Sequence, residues 1–308
     1  MIVDLRTRAW TGRDPLPGGD RSFNTTGRRL SDLDPTPDAH RRAMAVVDAA
    51  VVVGWRAERM GVHAPAEQVA AVTHLDPDRL VGFAGIDPTQ DSALDEVDRA
   101  VDLGMVGLTI APADSGCRPT DDRCLAVLER AAARRLPVLV ANPCLMDPRS
   151  VAEFARPVLL DEAARTIKGL TLILGDIGHA WIDEALLMAG KHERVFAEIS
   201  GVVSRPLALF TTLVTAYERS VMNKLMFASG FPAETPERAI ERLYTMSSFR
   251  GATQAPGAAA PPREAVRAMV ERDALGAIGV EWAGAARSRR AASIGAGESR
   301  PATEAAPA

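Results

Sequence analysis

The sequence predicts a (β/α)8 barrel, an α/β fold in which eight parallel strands alternate with helices. Eight short apolar runs recur along the chain. They lack the strict apolar–polar alternation of strands in a sheet that has one face exposed to solvent. Such continuous runs are typical of parallel strands covered on both faces. Amphipathic segments of helical length separate most of the runs. A doubly wound open sheet is the alternative, because a count of strands does not show whether the sheet closes.

The predicted strands are spaced widely enough to leave room for a helix between most neighbours. They cover residues 1–4, 49–55, 80–87, 106–111, 137–142, 170–176, 195–200 and 224–229.

The intervening segments carry helix signals. Residues 92–104 and 121–136 each place apolar side chains on one stripe, and Gly104 marks a helix end. Thr235 followed by Pro236 predicts a capped helix that starts there. Residues 261–279 read as one last helix.

The chain divides into one barrel domain, residues 1–283, and a low-complexity tail, residues 284–308, which we expect to be disordered. Within the barrel, residues 11–37 are polar and rich in Gly, Pro, Asp and Arg, and they predict a long loop after the first strand.

The overall charge argues against two classes of partner. The net charge of -4 gives no basis for binding nucleic acid or an anionic membrane. No apolar run approaches the ~20 residues of a membrane span, and the amino terminus does not resemble a signal peptide. We therefore expect a cytoplasmic protein. Its three cysteines lack the paired spacing of a zinc site, so we expect free thiols.

Function in such a barrel lies at the carboxyl ends of the strands. In chain order, these ends offer Arg6 and Arg8, Trp55 and Arg56, Asp87, Thr109 and Ala111, Ala141 and Asn142, Asp176 and His179, Glu198 and Ser200, and Gly230.

At these positions the sequence resembles the amidohydrolase-related family, the metal-dependent barrels that include aminocarboxymuconate-semialdehyde decarboxylase. The resemblance runs from residue 1 to about residue 279. It is carried by the order and spacing of the stretches DRLVGFAGIDP, AVDLGMVGLTIAP, RLPVLVANP, PVLLDEAARTIKGLTLILGDIGHAWIDEAL, ERVFAEISG and KLMFASGFP.

The family's metal ligands are replaced in this chain. The resemblance implies an Asp-x-His-x-His motif at the first strand, where Arg6 and Arg8 stand in place of both histidines. It implies histidines where Ala141 and Asp176 stand, and a metal-binding aspartate where Gly230 stands. Arginine cannot bind a metal ion, because its guanidinium stays protonated. We therefore predict a degenerate member with no metal and no cofactor.

Other strand-end residues form the predicted binding pocket. They are Trp55, Asp87, Thr109, Asn142, His179 and Glu198. We expect one arginine to pair with Asp176, and we expect Glu198 to face the barrel interior or to pair with an arginine. His179 is expected to be structural.

The functional prediction is a barrel without catalysis. It would act as a non-catalytic subunit, as a partner of an active relative or of a second copy, or as a protein that binds a small anion. A metal-independent hydrolase or decarboxylase that uses Arg6, Arg8 and Asp176 is the alternative. An ordinary metalloenzyme would require Asp176, His179 and Glu198 to converge as ligands.

Overall fold

Eight parallel strands form the centre of the structure, a computed structural model that describes residues 1–10, 33–246 and 261–282. The barrel strands are β1 (Val3–Thr7), β2 (Ala49–Val53), β5 (Leu80–Ile86), β6 (Gly107–Ile110), β7 (Val138–Val140), β8 (Leu172–Leu174), β9 (Val195–Glu198) and β10 (Leu225–Met226). Each pairs in parallel with the next in that order, so all eight predicted strands are confirmed.

Backbone hydrogen bonds join the last strand to the first. Leu5 N donates to Phe227 O at 3.1 Å. Arg8 N donates to Phe231 O at 2.9 Å, one step beyond the strand ends. The sheet is therefore a nearly closed barrel and not an open, doubly wound sheet.

Helices lie between the strands and after the last strand along the chain. They are α1 (Pro37–Ala43), α2 (Ala66–Thr73), α3 (Ala93–Asp102), α4 (Pro112–Ser115), α5 (Asp122–Ala133), α6 (Asp161–Thr166), α7 (Ile182–Lys191), α8 (Ser200–Val203), α9 (Pro206–Glu218), α10 (Pro236–Thr245), α11 (Arg263–Val270) and α12 (Ala274–Ala277). The predicted cap of α10 is confirmed, since the Thr235 side chain accepts a hydrogen bond from Arg238 N.

Two elements differ from the sequence prediction. The last helix is split into α11 and α12, because Asp273 between them caps α12 by accepting a hydrogen bond from Gly276 N. Trp55 does not end the second strand. It opens β3 (Trp55–Ala57), which pairs antiparallel with β4 (Val62–Ala64) in a hairpin that the sequence did not reveal.

Apolar side chains pack in two layers, one inside the barrel and one between the sheet and the helices. Leu5, Phe83 and Leu139 belong to the inner layer, and Leu275 of α12 packs against the same cluster. Each fully buried side chain of this size stabilises the fold by about 2–3 kcal/mol. The barrel is thus a filled core, and space for ligands is confined to its mouth.

Parts of two predictions lie outside the described residues. These are most of the polar loop, for which only residues 33–37 are described, and the whole tail, residues 284–308. In the part of the chain that is described, no helix is both long enough and apolar enough to span a bilayer.

Candidate functional site

A buried ion-pair network centred on Arg6 lies at the carboxyl end of the barrel. Arg6 Nη1 is in direct contact with Asp176 Oδ1 and lies 3.0 Å from Glu198 Oε1. It also donates to Ser200 Oγ at 3.0 Å. The predicted pairing of an arginine with Asp176 is confirmed, and Arg6 is the arginine that makes it. Glu198 also pairs with an arginine, as predicted.

Backbone amides complete the network around Glu198. Its Oε1 accepts a hydrogen bond from Asp176 N and its Oε2 accepts one from Ser200 N, each at 2.6 Å. Ser200 Oγ donates to Asp176 Oδ1 at 3.3 Å. Glu198 is thus held by the guanidinium of Arg6 and by two backbone amides.

The ionisation of the network follows from these contacts. Burial alone would raise the pKa of Asp176, but the charge and hydrogen bond of Arg6 hold that pKa below its ordinary value. Burial opposes the charge on Arg6, yet Asp176 and Glu198 together raise the pKa of Arg6 above its ordinary value. Both partners are therefore charged near neutral pH, and Asp176 is bound to a cation instead of being free to take up protons.

The backbone around Asp176 is unusual. Asp176 and Ile177 both adopt left-handed conformations, with φ of 52° and 49°. Gly201 makes room for this turn, because a Cβ at residue 201 would lie 2.5 Å from the Asp176 carbonyl oxygen. Left-handed non-glycine residues cost about 1–2 kcal/mol each and are found disproportionately at functional sites.

Arg8 lies in the same mouth and is not part of this network. Its guanidinium carbon lies 5.1 Å from the centre of the Trp55 ring, a cation–π arrangement. Its Nε is buried and makes no hydrogen bond to any residue that the structure describes. Burial, followed by repulsion from Arg6, lowers the pKa of Arg8 to about 10.

Small residues occupy positions 141 and 230, where the sequence resemblance led us to expect metal ligands. Ala141 is buried after β7, and its methyl group packs against Gly175, where an added Cβ would lie 2.7 Å away. Gly230 has φ of +74°, and a Cβ there would lie 3.1 Å from Ser200 Cβ. An aspartate at residue 230 would thus be strained by its backbone and crowded by its neighbour.

Asp87 and Asn142 are engaged in structural contacts. Asp87 is fully buried, and its carboxylate accepts hydrogen bonds from Glu58 N and from the amide and hydroxyl of Thr89. Asn142 Oδ1 accepts one from Ala113 N at 2.7 Å and so ties the loop after β7 to α4.

His179 and Thr109 each have a buried polar atom without a hydrogen-bond partner among the described residues. His179 Nε2 lies 2.8 Å from Arg205 Nη1, and its Nδ1 has no partner in the part of the chain that the structure describes. Burial and then Arg205 lower the pKa of His179. His179, Asn142 and Asp176 line a cavity of about 20 Å³, enough for one water molecule. Thr109 is buried, and its Oγ1 has no hydrogen-bond partner within residues 1–10, 33–246 and 261–282.

Sequence reasoning assigned no role to two side chains of this region. Ser200 follows β9 and bridges Arg6 and Asp176, and its position two residues after Glu198 was the available signal. Asp114 lies in α4, where its two carboxylate oxygens accept from Cys144 N and Ser150 Oγ. Cys144 itself is buried, and burial raises the pKa of its thiol, so it is not a ready nucleophile.

Residues 3–274 match the sequence model of the amidohydrolase family, a match that covers the whole barrel. The chain belongs to the amidohydrolase family. Among curated proteins, none matches it.

Solved structures of similar fold support the architecture. An uncharacterised TIM-barrel protein from Bordetella bronchiseptica has a TM-score of 0.67 at 16% identity, with 90% of this chain and 99% of that chain covered. A 2,6-dihydroxybenzoate decarboxylase from Rhizobium has a TM-score of 0.60 at 17% sequence identity, and the match covers 90% of this chain and 98% of that chain. A probable 2-pyrone-4,6-dicarboxylic acid hydrolase from Acinetobacter baumannii was solved with citric acid bound. It has a TM-score of 0.61 at 12% sequence identity, and the match covers 90% of this chain and 99% of that chain. At these identities the likeness shows the TIM-barrel fold alone.

The catalytic metal of related amidohydrolases does not fit the residues of this mouth. The Arg6 guanidinium contacts both Asp176 and Glu198, and a dication between the same carboxylates would face a fixed positive charge. Within residues 1–10, 33–246 and 261–282, no group of three or more His, Cys, Asp or Glu side chains is arranged to hold a metal ion. Structural metal sites ordinarily use four ligands and catalytic ones at least three from the protein.

Proposed function

We propose that this protein is a non-catalytic member of the amidohydrolase family in which an internal ion-pair network replaces the metal centre. The observation that carries the proposal is the contact of Arg6 with both Asp176 and Glu198. The Arg6 guanidinium supplies positive charge directly beside both buried carboxylates, at the place where the relatives would hold a metal ion.

The proposal accounts for a barrel that keeps its fold without the family's metal-binding residues. A barrel without catalytic activity still has a mouth and an outer surface that other molecules can bind, and these features suit a non-catalytic subunit. Its partner would be an active relative or a second copy of this chain. The mouth would also suit a small anionic ligand, and two proteins of similar fold carry acid substrates in their names.

A metal-independent hydrolase or decarboxylase that uses Arg6, Arg8 and Asp176 is the weaker candidate. Such an enzyme needs a free general base within reach of its substrate. Asp176 is bound to Arg6, which lowers the pKa of its carboxyl group and weakens it as a base. No observation favours this candidate over the ion-pair barrel.

Metal content tests the proposal directly. The protein is purified after growth with added zinc and manganese, and bound metal is measured by inductively coupled plasma mass spectrometry. We expect less than about 0.1 equivalent, because the carboxylates are occupied by Arg6. About one equivalent of either metal would overturn the proposal.

A variant with partly restored ligands sharpens this test. The triple variant Arg6→His, Arg8→His and Gly230→Asp introduces three potential ligands. We expect no micromolar zinc affinity by calorimetry, because Ala141 contributes no ligand and the backbone at residue 230 is left-handed. Micromolar binding would mean that the mouth holds ligands which the ion-pair interpretation does not include.

A further inference from the structure

Two of the three cysteines lie side by side in the outer packing layer. Cys117 follows α4, and Cys124 lies in the first turn of α5. Both are free thiols, and both belong to the apolar layer between the sheet and the helices. Cys117 is 3% exposed and Cys124 is 0% exposed. The ion-pair network around Arg6 does not use either thiol, so the function proposed above leaves the pair without a role.

The sulfur of Cys117 accepts two hydrogen bonds from Cys124. One comes from the thiol of Cys124 and the other from its backbone amide. The thiol of Cys117 donates in another direction, to Arg118 O at 3.9 Å. The two sulfur atoms are therefore in direct contact, and the lone pairs of Cys117 face Cys124.

The amino end of α5 makes the Cys124 amide available for this contact. An amide in the first turn of a helix has no carbonyl partner within the helix. Asp121, the N-cap residue, makes no side-chain cap bond within the described residues, and its carboxylate accepts a hydrogen bond from Arg118 N at 3.0 Å instead. Cys117 thus takes the place of a cap, where the helix dipole also favours a thiolate.

Backbone contacts fix the two cysteines relative to each other. Cys117 N donates to Pro112 O at 3.0 Å, and Gly116 before it has a φ of +73°. Asp121 N donates to Arg118 O at 2.9 Å and so closes a tight turn between the cysteines. A disulfide has an S–S length of about 2.0 Å, so thiols that already touch can reach it by side-chain rotation.

The contacts make the two thiols unequal in reactivity. The hydrogen bond from Cys124 lowers the pKa of the Cys117 thiol below its ordinary value, although burial and the carboxylates of Asp121 and Asp87 oppose this. The same hydrogen bond, and then burial, raise the pKa of the Cys124 thiol. Cys117 is therefore the sulfur that ionises first, and the thiolate is the reactive form of cysteine.

We infer that Cys117 and Cys124 form a reversible redox site, at which a small hydroperoxide converts the two thiols into an intramolecular disulfide. Contact between the sulfur atoms selects this pair over Cys144, the third cysteine. The low exposure of Cys117 limits the oxidant to a small molecule such as hydrogen peroxide. Its neighbours Gly116 and Arg118 are half-buried at the surface, so Cys117 is the member of the pair that lies nearer to solvent.

The oxidation has two steps. The Cys117 thiol loses its proton and its sulfur attacks one oxygen of the peroxide. The O–O bond breaks, the other oxygen takes up the proton and leaves as water, and Cys117 becomes a sulfenic acid. The Cys124 sulfur then loses its proton and attacks the Cys117 sulfur, and the hydroxide released from Cys117 combines with that proton to form water. The thiol pair is oxidised by two electrons, and the peroxide is reduced to water.

The test treats the reduced, full-length protein with hydrogen peroxide and counts free thiols after denaturation. Two of the three thiols of each chain should be lost, and dithiothreitol should restore them. Trypsin cuts after Arg123, between the two cysteines, but not after Arg118, which precedes Pro119. Residues 100–123 and 124–130 should therefore appear in the mass spectrum as one disulfide-linked species.

Single variants assign the two roles. Cys124→Ser keeps a donor to Cys117 but removes the second sulfur, so Cys117 should stop at the sulfenic acid and react with dimedone. Cys117→Ser removes the reactive sulfur, so Cys124 should remain a thiol. Cys144→Ser is the matched control, because it removes a buried thiol that lies outside the pair, and it should form the disulfide as the wild type does.

Several results would overturn the redox site. They are retention of all three thiols after peroxide treatment, a linked peptide that contains Cys144, and a disulfide between two chains on a non-reducing gel. Dimedone labelling of Cys124 in Cys117→Ser that equals the labelling of Cys117 in Cys124→Ser would refute the assigned order. The wild-type peptide map carries the test if a serine variant does not fold. None of these measurements depends on bound metal, so the redox site and the ion-pair barrel are tested separately.

Discussion

The coupling between Arg6 and Asp176 provides the sharpest test of the ion-pair core. The variants are Asp176→Asn, Arg6→Gln and the double variant. Asparagine is preferred to alanine at residue 176, because the left-handed backbone there suits asparagine, whereas alanine would add a strain of about 1 kcal/mol.

The expected magnitude follows from the contacts of Arg6. Two unit charges at the 3.0 Å separation of Arg6 and Glu198 attract by roughly 5–6 kcal/mol at an effective dielectric constant of about 20. Desolvation and the hydrogen bonds that remain reduce the net cost of breaking one pair. We expect Asp176→Asn to lower the free energy of unfolding by about 2–4 kcal/mol and Arg6→Gln to lower it by about 3–5 kcal/mol, since Arg6→Gln leaves two carboxylates unpaired.

Urea denaturation, followed by tryptophan fluorescence and by far-ultraviolet circular dichroism, measures these free energies. Urea is chosen because guanidinium chloride would screen the charges. The double variant should be more stable than the sum of the single effects predicts, with a coupling energy of about 1–3 kcal/mol. The exposed pair Arg219 and Asp183, changed in the same way, should show a coupling of at most about 1 kcal/mol.

A coupling energy for Arg6 and Asp176 no larger than that of the surface pair would refute the reasoning. The same conclusion would follow if Arg6→Gln left the stability unchanged, because the two carboxylates would then not depend on the guanidinium.

Three further changes test other features of the structure. Burial raises the pKa of Asp4 from 3.8 to about 7, so the folded protein binds more protons than the unfolded chain in that range and loses stability as pH rises. The advantage of Asp4→Asn over the wild type should therefore grow by up to about 4 kcal/mol between pH 4 and pH 8 in urea titrations, and a constant difference would contradict this. Gly230→Ala should cost more free energy of unfolding than Gly104→Ala, because both residues have positive φ but only residue 230 is crowded, by Ser200; equal costs would argue against the crowding. Thr235→Ala should lower stability by about 1 kcal/mol in the same assay through loss of the helix cap, and no loss would mean that the cap is not stabilising.

The sequence by itself determined the eight strands and the strand ends at which functional residues were expected. Continuous apolar runs mark strands that are buried on both faces, and this property is local, so all eight strands could be predicted. The cap of α10 was predictable for the same reason, since Thr235 and its partner amide lie three residues apart. Asp176 was identified as the partner of an arginine because the family resemblance put it, Arg6 and Arg8 at expected metal-ligand positions, and because their charges are opposite.

Tertiary structure alone decided which arginine meets Asp176 and what else it meets. Arg6 and Arg8 are equivalent in sequence terms, but the barrel brings Glu198 and Ser200 to Arg6 and brings Trp55 to Arg8. The β3–β4 hairpin places Trp55 there, and its short strands carried no distinct pattern. These contacts join residues far apart in the chain, and their geometry depends on how the strand ends are packed around the mouth. No local pattern of residues encodes that packing, which is why the partners of each charge emerged only from the folded chain.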